Sequence, residues 1–325
     1  MEALINKIFR CNDKTTFEAL ALELFHYQID NNPIYAEYAA LILKGRIPAN
    51  IYEIPFLPIH FFKQEQIICQ GKGVEEVFLS SGTTGGQSKH LVSDLSLYEK
   101  SYRKTFQQFY GEINDYCILA LLPSYQERED SSLIYMVNDL IKKSGHPKSG
   151  FYLNNLAELF ETIKELEGKG QKVILFGVTY ALLDLASQYP QHLKHTIIME
   201  TGGMKGKRKE LLKEEIHQLL QEAFLTQNIH SEYGMTELLS QGYSKGKNIF
   251  NSPPWMEILI RDVNDPLTII GNNKTGGINV IDLANIYSCP FIATQDLGKQ
   301  FDDDSFSVLG RFDNSKVRGC NLLVQ

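Results

Sequence analysis

The chain has 325 residues, enough for one large domain or two unequal ones, and its 43% apolar and 22% charged content is that of a soluble globular protein with a sizeable core. A formal charge of −7, from 32 basic and 39 acidic side chains, argues against a nucleic-acid binder, which needs a concentrated basic surface. The most basic stretch, residues 205–209, is followed by Glu210, Glu214 and Glu215 and reads as the solvated start of an amphipathic helix.

The five cysteines, Cys11, Cys69, Cys117, Cys289 and Cys320, are scattered without CxxC spacing, which opposes a disulfide framework or a zinc site. The N-terminal segment lacks the long apolar core of a signal peptide, and the longest apolar run, 117–122, is too short for a bilayer. The expected compartment is the cytoplasm, with no membrane partner.

Residues 1–45 carry apolar side chains at helical spacing, punctuated by Asn32-Pro33 and Pro48. Residues 54–63, with Pro55 and Pro58, read as an extended segment because proline fixes φ; His60 within it reads as a cleft or core histidine. A strand over 76–80 runs into a glycine-rich loop, a returning strand follows at 90–92, and 95–110 is a helix. From Tyr116 strand and helix alternate: strand 117–122, helix 131–143, helix 157–168, strand 172–176, strand 196–199, and an amphipathic helix 207–224. In that helix Leu211, Leu212, Ile216, Leu219, Leu220 and Phe224 share one face. This alternation predicts an α/β fold around a mainly parallel sheet. Residues 256–325 are richer in strand signals, at 256–260, 267–270 and 278–281. The expected domains are therefore an α/β core over 1–255 and a β-rich lobe over 256–325.

Three segments could carry chemistry. In Ser80-Ser81-Gly82-Thr83-Thr84-Gly85-Gly86 the glycines leave backbone N–H groups unobstructed, hydroxyls crowd both sides, and Lys89 adds charge at the far end. It is not a Walker P-loop, since no lysine follows the last glycine directly; by composition it is equally a phosphate cradle or a polar hairpin turn. In Tyr233-Gly234-Met235-Thr236-Glu237 a ring could stack on a purine while Thr236 and Glu237 offer oxygen to a phosphate-bound Mg2+; a turn beside a helix capped by Thr236 is the other reading. Asp296 could accept from ribose hydroxyls and Arg311, in Gly310-Arg311-Phe312-Asp313, could anchor ribose or phosphate.

Taken in order, these motifs resemble the adenylate-forming superfamily of acyl-CoA synthetases, peptide-synthetase adenylation domains and luciferases. Within it, residues 55–63, residues 200–206 and Val317-Arg318-Gly319-Cys320 resemble the acyl-protein synthetase branch, the fatty-acid-activating component of bacterial bioluminescence reductases. The resemblance implies an adenylate-forming, acyl-CoA synthetase-like large N-terminal domain with a smaller β-rich lobe. The mobile C-terminal lid domain, with its lysine, would be absent.

It further implies ATP-dependent activation of a carboxylic acid and transfer of the acyl group to a protein thiol. Transfer to CoA or a carrier protein, or a non-catalytic nucleotide-binding subunit, are the alternatives. By position, Ser80, Ser81, Gly82, Thr83, Thr84 and Gly85 would cradle the phosphates, and Gly202, Gly203 and Met204 would line the adenine slot. Tyr233, Gly234, Met235 and Thr236 would lie beside it, Glu237 would hold Mg2+, and Asp296 and Arg311 would fix the ribose. Cys320 is the implied acyl acceptor, and Lys316 or Lys89 would replace the lid lysine, with a reductase as the implied acyl-accepting partner.

Overall fold

The computed structural model describes residues 1–81, 86–202 and 213–312. The chain divides into two compact units, one built from Met1–Gln70 with the described residues from Pro254 onward, the other from Gly71–Pro253.

The first unit opens with helices α1 (Glu2–Ile8), α2 (Lys14–Asn31) and α3 (Pro33–Leu43). Asp13 accepts from Thr16 N to cap α2, and Asn32 accepts from Tyr35 N to cap α3, with Pro33 at its first position where no N–H is required. Residues 54–63 are not extended throughout. After the two-residue strand β1 (Leu57–Pro58) the chain turns into a short helix, α4 (Phe61–Gln64), because Pro55 and Pro58 leave the residues after them free to coil. His60 lies at the head of α4, exposed and beside the Phe61 ring at 5.0 Å, so it is a surface residue rather than a core one.

The second unit begins with an antiparallel hairpin of β2 (Glu76–Leu79) and β3 (Lys89–Val92), then α5 (Leu95–Tyr110), capped by Asp94. Its sheet is built from β4 (Cys117–Leu121), β5 (Gly150–Phe151), β6 (Val173–Val178), β7 (Thr196–Thr201) and β8 (Ile229–Tyr233). These lie in the order β5-β4-β6-β7-β8, all parallel. Strands β9 (Gly242–Ser244) and β10 (Phe250–Asn251) add antiparallel to β8. Helices α6 (Ser132–Ser144), α7 (Leu156–Gly168), α8 (Thr179–Gln188) and α9 (Lys213–Phe224) make the connections. Every residue of β4 and of β6 is buried, as a parallel strand covered on both faces requires. In α9, Ile216, Leu220 and Phe224 are buried as expected, but Leu219 is 46% exposed; Leu211 and Leu212 lie outside the described residues.

The chain then returns to the first unit with β11 (Met256–Arg261), β12 (Ile269–Ile270), β13 (Thr275–Asp282), β14 (Phe291–Gln300) and β15 (Phe306–Arg311), antiparallel in the order β12-β11-β13-β14-β15. Residues 1–70, expected within a 1–255 core, cluster instead with these strands. Leu57 and Pro58 pair with Ile292 and Ala293 of β14, the Tyr35 ring lies 5.7 Å from Phe291, and Gln28 donates to the Ile286 carbonyl at 2.7 Å. The N-terminal helices thus find their hydrophobic partner at the far end of the chain.

Glu257 on β11 is pushed up to about 7 by burial, reinforced by Asp304 and opposed by Lys14 and by the hydrogen bond from Gln300. A carboxyl with a raised pKa favours the folded state fully below its unfolded value, and the advantage is lost as pH climbs through the folded value. The protein is therefore expected to lose stability between about pH 5 and pH 8 through this group, by on the order of 2 kcal/mol. Urea melts across that range would show the slope, and Glu257→Gln should flatten it; an equal slope in the variant rules Glu257 out as its source.

Candidate nucleotide and acyl-activation site

In the second unit the glycine-rich loop is the turn of the β2–β3 hairpin. Leu79 pairs with Lys89, Ser80 N donates to the Ser88 carbonyl at 3.0 Å, and Ser88 N donates back to Ser80 Oγ at 2.9 Å. Gln87 Nε2 donates to the Ser80 carbonyl at 2.9 Å. The two ends of the loop are thereby pinned together, with Ser81, Gly86 and Lys89 exposed. Gly82, Thr83, Thr84 and Gly85 at its tip lie outside the described residues.

The Tyr233–Glu237 segment leaves the end of β8 beside the end of β7. Thr201 pairs with Glu232 in parallel register, so Gly202 and Tyr233 emerge next to one another at the C-terminal edge of the sheet. That edge is where open α/β sheets place ligands. Gly202 has φ +70, a conformation glycine adopts without strain. Gly203 and Met204 lie outside the described residues. Residues 235–238 form a turn closed by Leu238 N to the Met235 carbonyl at 3.1 Å, and no helix starts there, so Thr236 is not a helix cap. Tyr233 and Glu237 are buried, at 7% and 5% exposure, while Gly234 is exposed.

His90 ties these two segments together. It is buried at 1% exposure, and its Nδ1 lies 2.8 Å from the Thr236 carbonyl. A carbonyl only accepts, so Nδ1 carries the proton. The sequence reading missed this histidine; its signal was a polar residue at a core-facing position of a short apolar strand.

A second network, also unforeseen, braces Gly202. The Thr179 hydroxyl, at the start of α8, donates between Glu200 Oε1 at 2.6 Å and the Gly202 carbonyl at 2.7 Å. Ser231 Oγ donates to Glu200 Oε2 at 3.1 Å, and Lys213 Nζ approaches the same oxygen at 3.5 Å while lying 4.7 Å from the centre of the Phe250 ring. His217, 3.3 Å from Ser231 Oγ, is held below the usual histidine range by burial, with Glu200 opposing and Lys213 adding to that shift. On the other face, Glu232 accepts from the Thr201 hydroxyl at 3.1 Å and is pushed up to about 7 by desolvation, with Glu200 contributing.

In the first unit, Asp296 and Arg311 face each other across β14 and β15 as a register pair, with Arg311 Nε 3.5 Å from Asp296 Oδ1. Asp296 is 8% exposed, whereas the Arg311 side chain is 79% exposed and so available to a ligand. The strand carrying Asp296 is held by Arg261, whose guanidinium is buried and donates to the carbonyls of Ile278 (2.7 Å) and Thr294 (2.5 Å) and to Asn279 Oδ1 (2.8 Å). Asp296 N in turn donates to Thr294 Oγ1 at 3.1 Å. Lys316 and Cys320 lie outside the described residues.

Among protein families, LuxE, the acyl-protein synthetase, matches over residues 12–325. The chain belongs to the LuxE acyl-protein synthetase family. No curated protein matches the chain significantly. Among solved structures, ATP-bound MatB from Rhodopseudomonas palustris superposes with a TM-score of 0.56 at 16% identity, covering 75% of this chain and 50% of that one. The ATP-bound RpMatB-BxBclM chimera B3 gives 0.55 at 17% identity, covering 75% and 49%. Apo MatB from Rhodopseudomonas palustris gives 0.55 at 14%, covering 76% and 50%. The chain spans about half the length of these structures. At such identities they establish the fold, that of the adenylate-forming enzymes, which this LuxE family member shares. No helix among the described residues is long and apolar enough to cross a membrane.

Proposed function

We propose that the protein activates a carboxylic acid with ATP and passes the acyl group to a protein thiol. The observation that carries this reading is the convergence of loop, Gly202 and Tyr233–Glu237 in one unit, with His90 joining the first to the last. Membership of the LuxE family and the adenylate-forming fold support it.

In the first half-reaction a carboxylate oxygen of the acid attacks the α-phosphorus, a P–O bond forms, and the bond to the β-phosphate oxygen breaks to release pyrophosphate. The side chains have little covalent work here; the gain comes from holding the two reactants together and offsetting phosphate charge. The hairpin loop from Ser80 onward, with Thr83 and Thr84, takes the phosphates on N–H and hydroxyl groups, and Lys89 supplies charge at its rim. Gly202, Gly203 and Met204 border the adenine, with Tyr233 beside them; in the first unit, Asp296 and Arg311 offer a carboxylate and a guanidinium suited to ribose hydroxyls.

Mg2+ fits this donor set. Among the described residues no three His, Cys, Asp or Glu side chains cluster as a metal cage. One carboxylate, Glu237, together with the nucleotide's own phosphate oxygens is the arrangement Mg2+ accepts. When bound, the ion would offset phosphate charge.

In the second half-reaction the Cys320 thiolate attacks the acyl carbonyl carbon, a thioester forms, and AMP leaves with the bonding electrons. A reductase or another acyl-accepting protein would then take the acyl group, and Lys316 would serve adenylation. Acid-dependent ATP–pyrophosphate exchange tests the first step, and its absence across a broad panel of acids would sink the reading. Mass spectrometry after incubation with ATP and acid tests the second. Cys320→Ser is expected to keep exchange and lose the acyl adduct; a variant that still passes acyl groups on at the wild-type rate points to transfer to CoA or a carrier protein instead.

A further inference from the structure

Three polar side chains next to Tyr233–Glu237 have no place in that scheme. On β9, Tyr243 stands directly opposite Glu232, so the two share a face of the sheet. Gln241, two residues before Tyr243, reaches the same region. A Cβ on Gly234 would lie 2.3 Å from Glu232 Oε1 and 3.3 Å from Gln241 Cγ, so the bare glycine lets these side chains converge. Gln241 is 3% and Tyr243 1% exposed, yet Gln241 Oε1 and the Tyr243 hydroxyl make no hydrogen bond among the described residues. Leaving two such groups unsatisfied costs more than hydrogen bonding them would gain, and native proteins rarely tolerate it without a reason. Glu232 is half-buried, and its Oε1 lies against Gly234, which is exposed.

We propose that Glu232, Gln241 and Tyr243 form a specificity site that binds a hydroxyl group on the carboxylic acid. The donor and acceptor inventory fits that group. A hydroxyl donates once and accepts as well, and here it meets an amide oxygen that only accepts, a phenol that can donate, and a carboxyl. The rings of Tyr110 and Phe109, at 5.3 and 5.5 Å from Tyr243, give the phenol an apolar surround in which a missed hydrogen bond is felt in full. This rests on the acid-activation reading above.

The test is acid-dependent ATP–pyrophosphate exchange with matched acids that differ only by a hydroxyl: 2-hydroxy, 3-hydroxy, terminal-hydroxy and hydroxyaryl acids, each with its deoxy and amino counterparts. At least one hydroxy acid is expected to exceed its deoxy partner by about 100-fold or more in kcat/KM, since a site built to hydrogen-bond a hydroxyl rejects the analogue lacking it. Tyr243→Phe removes a hydroxyl that makes no hydrogen bond among the described residues, so its melting temperature should be unchanged or higher. It should nevertheless cut the hydroxy-over-deoxy ratio by about 10-fold or more. A structural tyrosine would not show that combination. Glu232→Gln and Gln241→Leu should lower the same ratio. Deoxy or amino acids preferred throughout, or ratios unmoved by all three variants, would overturn the proposal while leaving acid activation standing. Exchange with no acid at all would overturn the activation reading, and this one with it.

Discussion

Arg261→Ala is expected to lower the melting temperature by about 10 °C, the largest single effect on stability in the first unit. The guanidinium is buried at 8% exposure and donates to two backbone carbonyls and to Asn279. Hydrogen bonds from a charged donor are worth about 1.5–3 kcal/mol each, and truncation leaves the Thr294 carbonyl and the Asn279 amide oxygen short of a donor inside a sheet. A net cost of about 3–5 kcal/mol follows. Gly277 belongs to the same arrangement. A Cβ there would sit 2.5 Å from Arg261 Cζ, and this glycine keeps the surface of β13 flat beneath the guanidinium. Gly277→Ala should therefore destabilise the wild type and be much better tolerated once Arg261 is gone. Calorimetry on the two single variants and the double variant would measure that coupling. Equal cost of Gly277→Ala in both backgrounds would show that the contact does not matter. Arg261 holds Thr294 and Thr294 holds the Asp296 amide, so, on the proposal that Asp296 takes the ribose, Arg261→Ala is also expected to raise KM for ATP in protein that remains folded.

The second large effect falls on turnover. His90→Leu is expected to reduce kcat/KM for ATP by about 100-fold, because the loop then loses its link to Thr236 and the reacting groups drift by something near an ångström. His90→Asn should retain most of the activity, since an asparagine Nδ2 occupies nearly the position of the histidine Nδ1 and can donate to the same carbonyl. Steady-state exchange kinetics decide the matter. Equal losses for Leu and Asn would mean that the ring itself, not its Nδ1–H, is what the site requires.

Much of the fold was legible. The α5 boundaries follow directly from an apolar face closed by Asp94 at one end and Gly111 at the other, and β4 and β6 announce themselves as unbroken apolar runs. What escaped is equally explicable. β14 carries Gln295, Asp296, Gly298 and Gln300 along its second half, so that half gives no strand signal; only pairing with β13 and β15 extends the strand through it. α8 begins at Thr179 directly after β6, with no loop to mark the junction. The segment after Pro58 reads as extended because the prolines dominate it, yet four residues suffice for α4.

The candidate site divides along the same line. Tyr233–Glu237, Asp296 and Arg311 stand out by motif order, because their glycines and polar side chains are concentrated in short segments. The residues that hold those segments in place, His90, Thr179, Glu200 and Arg261, come from strands and helices distant in sequence. His90, Thr179 and Arg261 donate to backbone carbonyls, which leave no mark on the sequence, and Glu200 accepts from the Thr179 and Ser231 hydroxyls. Glu232, Gln241 and Tyr243 flank a recognised motif on both sides, but only the β8–β9 register brings them to one face.

The first unit is assembled from two stretches of chain separated by the whole of Gly71–Pro253. On the ribosome, at roughly 5–20 residues per second, the N-terminal helices would be complete about 12–50 s before Phe291 and Ile292 are made. During that interval Phe25, Tyr35 and Leu57, all buried in the finished protein, have no sheet to cover them. The contiguous second unit can close on itself in the meantime. Newly made chains halted near residue 250 should therefore bind a trigger-type holding chaperone through residues 1–70, and release it when the last five strands arrive.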